Sequence, residues 1–253
     1  MRFSGLKTKA VITVLAAVAG TSAFGYWSYA EYRQQELRNA IMELVTDTSV
    51  RLGEALDARM PQKSVKNPQS LRKFYEHAEA VDGHYQRLSS LNIAPIGEHA
   101  GFDRKLAQLM GLRSLDIAPI GELADAADDY VLTSREILLR RASSQRIRLK
   151  LSGSIEALRN HMRADNRSGA WVREAIRAKE RVEEDYRDYR LTVGALARLL
   201  ESFPASQAKM VAHVDAALLA DLALVEEARE EALRASRQAA EEIAKVRQLT
   251  AYR

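Results

Sequence analysis

From Val211 to Leu249 apolar residues return at steps of three and four: Val211, Val214, Leu218, Leu222, Val225, Ala228, Ala232, Ala235, Ala239, Ile243, Val246 and Leu249. That spacing keeps one face of an α-helix apolar turn after turn, whereas a half-buried strand would alternate every second residue. Glu226, Glu227, Glu230, Glu231, Glu241 and Glu242 flank the row. A helix divided in this way resembles a heptad seam and needs its apolar face buried against other helices, of this chain or of a second copy, and the small Ala residues allow close approach. The pattern predicts a last helix from about Ala205 to Ala251, restarted after Pro204.

The same period recurs upstream. Leu37, Ile41, Leu44, Thr48, Leu52, Ala55 and Leu56 follow it, and between Tyr26 and Met60 only Gly53 weakens a helix. After a loop framed by Pro61 and Pro68, with Asn67 as N-cap and Pro68 as first helical residue, Leu71, Phe74, Ala78, Val81, Tyr85 and Leu88 share a face up to about Leu91. Another helix starts with Ile120, Leu123, Ala127, Tyr130, Val131, Ser134, Ile137 and Leu138 and is expected to reach about Ala164, weakest at Gly153. Residues 165–169 then turn the chain. The following helix is expected to bury Trp171, Val172, Ala175, Ile176, Val182, Tyr186, Val193, Leu196, Leu200 and Phe203. Residues 91–98 (LNIAPIGE) and 115–122 (LDIAPIGE) nearly repeat, 24 positions apart. With Asn92 and Asp116 as caps and Pro95 and Pro119 in first turns they read as a duplicated helix-start device, two copies being too few for a solenoid.

With 47% apolar residues, 12 Gly and 5 Pro in 253 residues, the expected fold is all-α: an N-terminal membrane helix continuing into an elongated antiparallel helical bundle or coiled-coil domain, possibly two stacked bundles. The membrane helix is read from Ala10 to Ala30, 21 residues without a charge, behind Arg2, Lys7 and Lys9 and ahead of Glu31. A helix of that length spans about 30 Å of hydrocarbon. Cations stay on the cytoplasmic side, so the bulk of the chain is expected outside it, and Tyr26, Trp27, Tyr29 and Tyr32 suit the far lipid–water boundary. Two readings stand. In one, residues 1–30 are a retained signal-anchor in the cell inner membrane and residues 31–253 a periplasmic, helical-bundle domain. In the other, a signal peptide is cleaved after Thr21-Ser22-Ala23 or Ser28-Tyr29-Ala30 and the domain is soluble in the periplasm.

The absence of Cys removes disulfides, thiolate metal sites, thiol nucleophiles and lipoprotein attachment together. The net charge of +4 does not mark a nucleic-acid binder, because three of the 38 basic residues lie in 1–30 and the other 35 face 34 acids. Only Arg135 to Lys150, with six cations spread around a helix, approaches a basic patch, and it reads as a solvated or partner-facing helix.

Among five His, only His77 and His84, seven apart along one helix edge, suggest a ligand pair, and none has the Glu three residues earlier that carboxylate-bridged iron in a bundle requires. Ser206-Gln207-Ala208-Lys209 matches S-x-x-K, in which Lys deprotonates Ser one turn away, but the accompanying Ser-Asp-Asn and Lys-Thr-Gly elements are missing and Ser206 reads as a helix cap. No glycine-rich phosphate loop or G-x-S-x-G elbow occurs. No catalytic, cofactor-binding or metal-ligating residue is therefore assigned, and no cofactor is expected.

The run from Lys179 through Glu180, Val182, Glu184, Tyr186 and Arg187 to Leu199, Leu200, Phe203 and Pro204 resembles a helix of the double all-helical (DAHL) extracytoplasmic sensor domains of bacteria. The Phe-Pro pair falls later here and that family's Asn-Ser pair is absent, so no binding residue is carried over. The resemblance implies two stacked bundles sharing long helices, used for sensing or partner contact. The leading functional expectation is a noncatalytic, membrane-anchored interaction or sensory module with a protein partner, self-association or a small ligand. The alternative is a structural component of an envelope complex that oligomerises through its C-terminal helix.

Overall fold

In a computed structural model the described residues, 4–57, 68–91, 120–163, 168–214 and 219–251, form five α-helices and no strand. They are α1 (Ser4–Asp57), α2 (Pro68–Ser90), α3 (Ile120–Met162), α4 (Gly169–Val211) and α5 (Leu219–Ala251). The all-α expectation holds. Helix α1 is unbroken for 54 residues, as the lack of breakers predicted, and its buried face begins at Leu37. Among the described residues no helix is long and apolar enough to cross a membrane. The side chains of 1–24 and most of the repeated segments at 91–122 lie outside the described residues.

The helices meet alternately up and down. His84 on α2 reaches Thr48 on α1, Arg135 on α3 reaches Asp82 on α2, Lys150 on α3 reaches Asp185 on α4, and Tyr189 on α4 reaches Glu242 on α5. A second contact in each pair, His77 to Glu54, Arg141 to Phe74, His161 to Trp171 and Gln207 to Val225, moves forward on one helix and backward on the other, so each of these pairs runs antiparallel. One apolar core joins all five through Leu37, Ile41, Val45, Leu52 and Leu56 of α1, Phe74 and Val81 of α2, Leu123, Tyr130 and Ile137 of α3, Leu200 and Phe203 of α4, and Val225, Ala228 and Ala232 of α5. Tyr130 and Phe203 sit at its centre, with ring centroids 5.2 Å apart, and the Tyr130 hydroxyl lies 2.7 Å from Ser49 Oγ. A smaller cluster of Tyr189, Val193, Ala197 and Ala239, with Ile147, Leu151 and Ile243 against it, continues the packing along α3, α4 and α5.

Gly53 has a packing reason. A Cβ there would lie 2.7 Å from Glu231 Oε2 of α5, so the missing side chain lets a carboxylate lie across α1. Burial, followed by the charges of Asp57 and Glu227, pushes the Glu231 carboxyl above its ordinary range. Near the end of α1, Arg141 on α3 donates to the Leu56 carbonyl at 3.1 Å and lies over the Phe74 ring. A guanidinium suits the carbonyl-rich, partially negative end of a helix. Burial lowers its pKa to about 10, against the pull of Glu242.

Two expectations need correction. Pro204 does not restart the chain: it sits inside α4, which continues to Val211, and the last helix begins at Leu219. A proline inside a helix costs about 3 kcal/mol, and burial of Leu200, Phe203 and Met210 on either side of it offsets that cost. The predicted seam is consequently shared. Val211 and Val214 belong to the end of α4 and the turn after it, and Val225 to Ala239 to α5, while Leu218 and the side chains of Leu222, Val246 and Leu249 lie outside the described residues. The second correction concerns α4, where Val172 and Ile176 are 46% and 52% exposed although the periodicity predicted them buried.

Candidate functional site

Two places stand out once the bundle is assembled: a groove between α1 and α2, and the far half of the α3–α4 hairpin.

The groove, of about 690 Å³, is lined by Asn39, Glu43, Thr46 and Asp47 of α1 and by His84 and Arg87 of α2. Antiparallel packing places His84 over one turn of α1, with Nε2 3.0 Å from Asp47 Oδ2 and Nδ1 3.1 Å from Thr48 Oγ1. Arg51, one turn on, donates to the same Asp47 carboxylate at 2.7 Å. Burial holds the His84 pKa below its ordinary value, with Arg51 and Arg87 adding to that and Asp47 and Glu43 opposing it. His77, its expected companion, instead faces Glu54 at 3.7 Å. The two rings thus engage different carboxylates of α1, and among the described residues no group of three or more His, Cys, Asp or Glu is placed to hold a metal.

The neutral His84 ring is the form the fold favours, so protonation opposes folding. Its contribution is fully present above the ordinary value of 6.5 and is lost as pH falls through that value towards the lower folded one. Thermal melts of the wild type are therefore expected to fall faster than those of His84→Gln as pH drops from about 8 to about 5. Parallel curves would remove His84 from the acid sensitivity.

Ser206 and Lys209 are brought together, but around a carboxylate of α3. Ser206 donates to Asp129 Oδ2 at 3.0 Å and Lys209 Nζ lies 3.8 Å from the same oxygen. Because α4 continues through Pro204, Ser206 is an interior helical residue rather than the expected cap. The S-x-x-K match is here a clasp between two helices.

The basic run was expected to face solvent or a partner, and the structure divides it: Arg140 and Arg146 are exposed, whereas the other four cations reach neighbouring helices. Arg135 pairs with Asp82 at 2.5 Å, Arg141 reaches Leu56, Arg148 meets Glu242 at 3.6 Å, and Lys150 meets Asp185 at 2.7 Å. Four of the six cations are thus divided among α2, α1, α5 and α4, one neighbour each. Periodicity could not announce Asp185, a buried acid that also accepts from Ser154 at 2.5 Å. Burial alone would raise its carboxyl. The hydrogen bonds from Lys150 and Ser154 and the ammonium charge outweigh that and hold it below the usual carboxylate range. Its clue was position, since Asp185 falls between Val182 and Tyr189 on the face that α4 turns to α3.

Beyond Asp185 the hairpin continues as two helices. Its last layer is His161 against Trp171, rings stacked 5.1 Å apart, with Trp171 Nε1 donating to the His161 carbonyl at 3.1 Å. Ser168 caps α4 by accepting from the Trp171 amide. Leu151, Ser154, Leu158 and His161 on α3 and Trp171, Ala175, Ala178 and Val182 on α4 are the half-buried seam. Outside it, Ile155, Met162, Val172 and Ile176 are exposed.

The chain matches no protein-family model, and no curated protein or solved structure is significantly similar to it.

Proposed function

We propose that this chain is a noncatalytic helical module, held at a membrane by residues 10–30 with the bundle outside the cytoplasm, that works by contact with a partner. The single observation that carries the reading is the exposed apolar row on the far half of the α3–α4 hairpin. Four large apolar side chains there are open to water on the part of the molecule that needs them least for its core. Exposed apolar residues gathered on one element are how interaction surfaces are built. The anchor fits the same reading. Helix α1 projects from the opposite end of the bundle, with Tyr29 and Tyr32 exposed where the uncharged stretch ends. By helical rise, about 40 Å of α1 and a further 30 Å or so of hairpin would separate the lipid surface from the hairpin tip.

The likeness of residues 179–204 to DAHL sensor domains points the same way, and the α1–α2 groove, with Asp47, His84 and Arg87 in its wall, supports ligand sensing as a second use. Assembly through the last helix draws less support. The α5 face from Val225 to Ala235 is already covered by helices of the same chain.

The anchor is tested by carbonate extraction of membranes and mass spectrometry of the mature protein. The expected result is retention in the pellet with an intact amino terminus, and a mature protein starting at Phe24 or Glu31 would replace the anchor with a cleaved signal. A carboxy-terminal reporter active only outside the cytoplasm is expected to be active. A silent one would reverse the orientation.

A further inference from the structure

We infer, resting on the ligand-sensing use of the α1–α2 groove named above, that this groove binds a free α-amino acid, with its ammonium at Glu43 and its carboxylate at Arg87.

The register of the two helices brings these charges level. His77 meets Glu54 and His84 meets Asp47, so each step forward on α2 is one step back on α1, and Arg87 falls opposite Leu44, next to Glu43. Both side chains line the groove, and both act on the His84 ring, Glu43 raising its pKa and Arg87 lowering it. Opposite charges placed so close commonly pair. Among the described residues, however, neither the Glu43 carboxylate nor the Arg87 guanidinium makes an ion pair or a hydrogen bond. The rest of the wall divides into groups already engaged and groups still open. Asp47 is held by His84 at 3.0 Å and by Arg51 at 2.7 Å, and the other His84 nitrogen lies 3.1 Å from Thr48. Asn39 accepts from Gln35 through Oδ1 at 3.2 Å, which leaves its amide N–H groups to donate. Thr46 differs from the hydroxyl residues beside it. Thr48 and Ser49 donate to the carbonyls one turn back at 2.6 and 2.8 Å, whereas Thr46 Oγ1 is buried with no partner. A buried hydroxyl left unpaired is costly, so its place in the wall of a groove points to a polar ligand.

The open groups select the ligand. A dicarboxylate would satisfy Arg87 but bring its second charge to Glu43 and Asp47, and a diamine would satisfy Glu43 but face Arg87 and Arg51. A molecule with one charge of each sign satisfies both walls through charge-assisted hydrogen bonds. The volume, about 690 Å³, lies within the range of about 300–1,000 Å³ usual for small-molecule sites. Val50, 38% exposed in the same wall, offers apolar surface to a side chain.

The test melts the purified full chain with each proteinogenic amino acid in turn, with succinate and with putrescine, all at about 10 mM. At least one amino acid is expected to raise Tm by about 3 °C or more. Titration calorimetry is expected to show its amide and its N-acetyl derivative, each lacking one charge, binding at least about tenfold more weakly. Glu43→Gln and Arg87→Gln are expected to weaken the amino acid by about the same factor, and Glu79→Gln, an exposed acid of α2 outside the groove, to leave it within about twofold. Glu43 and Arg87 are exposed, so melts of their variants without ligand are expected to match the wild type. An equal loss of stability in both variants would mean that the two charges close on each other, and the site would fall. Binding that ignores both substitutions, or an amide and an N-acetyl derivative that bind as well as the parent, would also overturn the proposal. A shift with succinate or putrescine and with no amino acid would keep ligand sensing and overturn the zwitterion. Silence of every compound would overturn the proposal and leave the contact reading, which its own anchor and reporter experiments test, untouched.

Discussion

Replacing Val225 with Asp is expected to leave the chain without a cooperative thermal transition, or with one at a far lower temperature. Val225 is fully buried, in the core shared by α1, α3, α4 and α5, and its carbonyl accepts from the buried Gln207 amide of α4. An unpaired carboxylate there would be desolvated with no donor to meet it, at a cost of several kcal/mol, or would have to take up a proton. Domains of this kind are stable by only about 5–15 kcal/mol. Circular dichroism melting of the full chain and sedimentation together check the result. An unchanged melt and an unchanged oligomeric state would mean that α5 does not pack on this core, and the antiparallel arrangement of α4 and α5 would fall with it.

The second large effect is expected at Phe203→Ala, with a loss of about 3–5 kcal/mol measured by denaturant unfolding. The ring is wholly buried against Tyr130, and the helix around it already carries the cost of Pro204. Removing the ring takes away burial that keeps the proline turn helical, so the loss is expected at the upper end of that range. A loss under about 1 kcal/mol would show that the site collapses around the cavity and that Phe203 does not hold α4 together across Pro204.

Some of this architecture was legible in periodicity because burial in a bundle is decided face by face. Every position read as core on α1, from Leu37 to Leu56, is buried, and so are Phe74, Ala78, Val81 and Leu88 on α2 and the eight positions from Ile120 to Leu138 on α3. Gly153 did not break α3 and Gly53 did not break α1, since a single glycine costs a helix only about 1 kcal/mol. The candidate sites were far less legible. The His84 contacts depend on which turn of α1 lies opposite, and the basic run acquired its meaning only when Asp82, Glu242 and Asp185 arrived from three other helices.

The sequence by itself determined that the chain is helical and which faces of α1, α2 and α3 turn inward, because the 3.6-residue period and backbone propensity act within a few residues. Tertiary structure alone decided the rest. It carried α4 through Pro204, since buried Leu200, Phe203 and Met210 outweigh a local penalty, and it ended that helix at Val211 and turned the chain at His213 and Val214, where no glycine or proline announces a break. It also decided which apolar faces find cover. Val193 and Val172 stand on the same edge of α4, three heptads apart, and one is buried in a cluster with Ala239 of α5 while the other is 46% exposed.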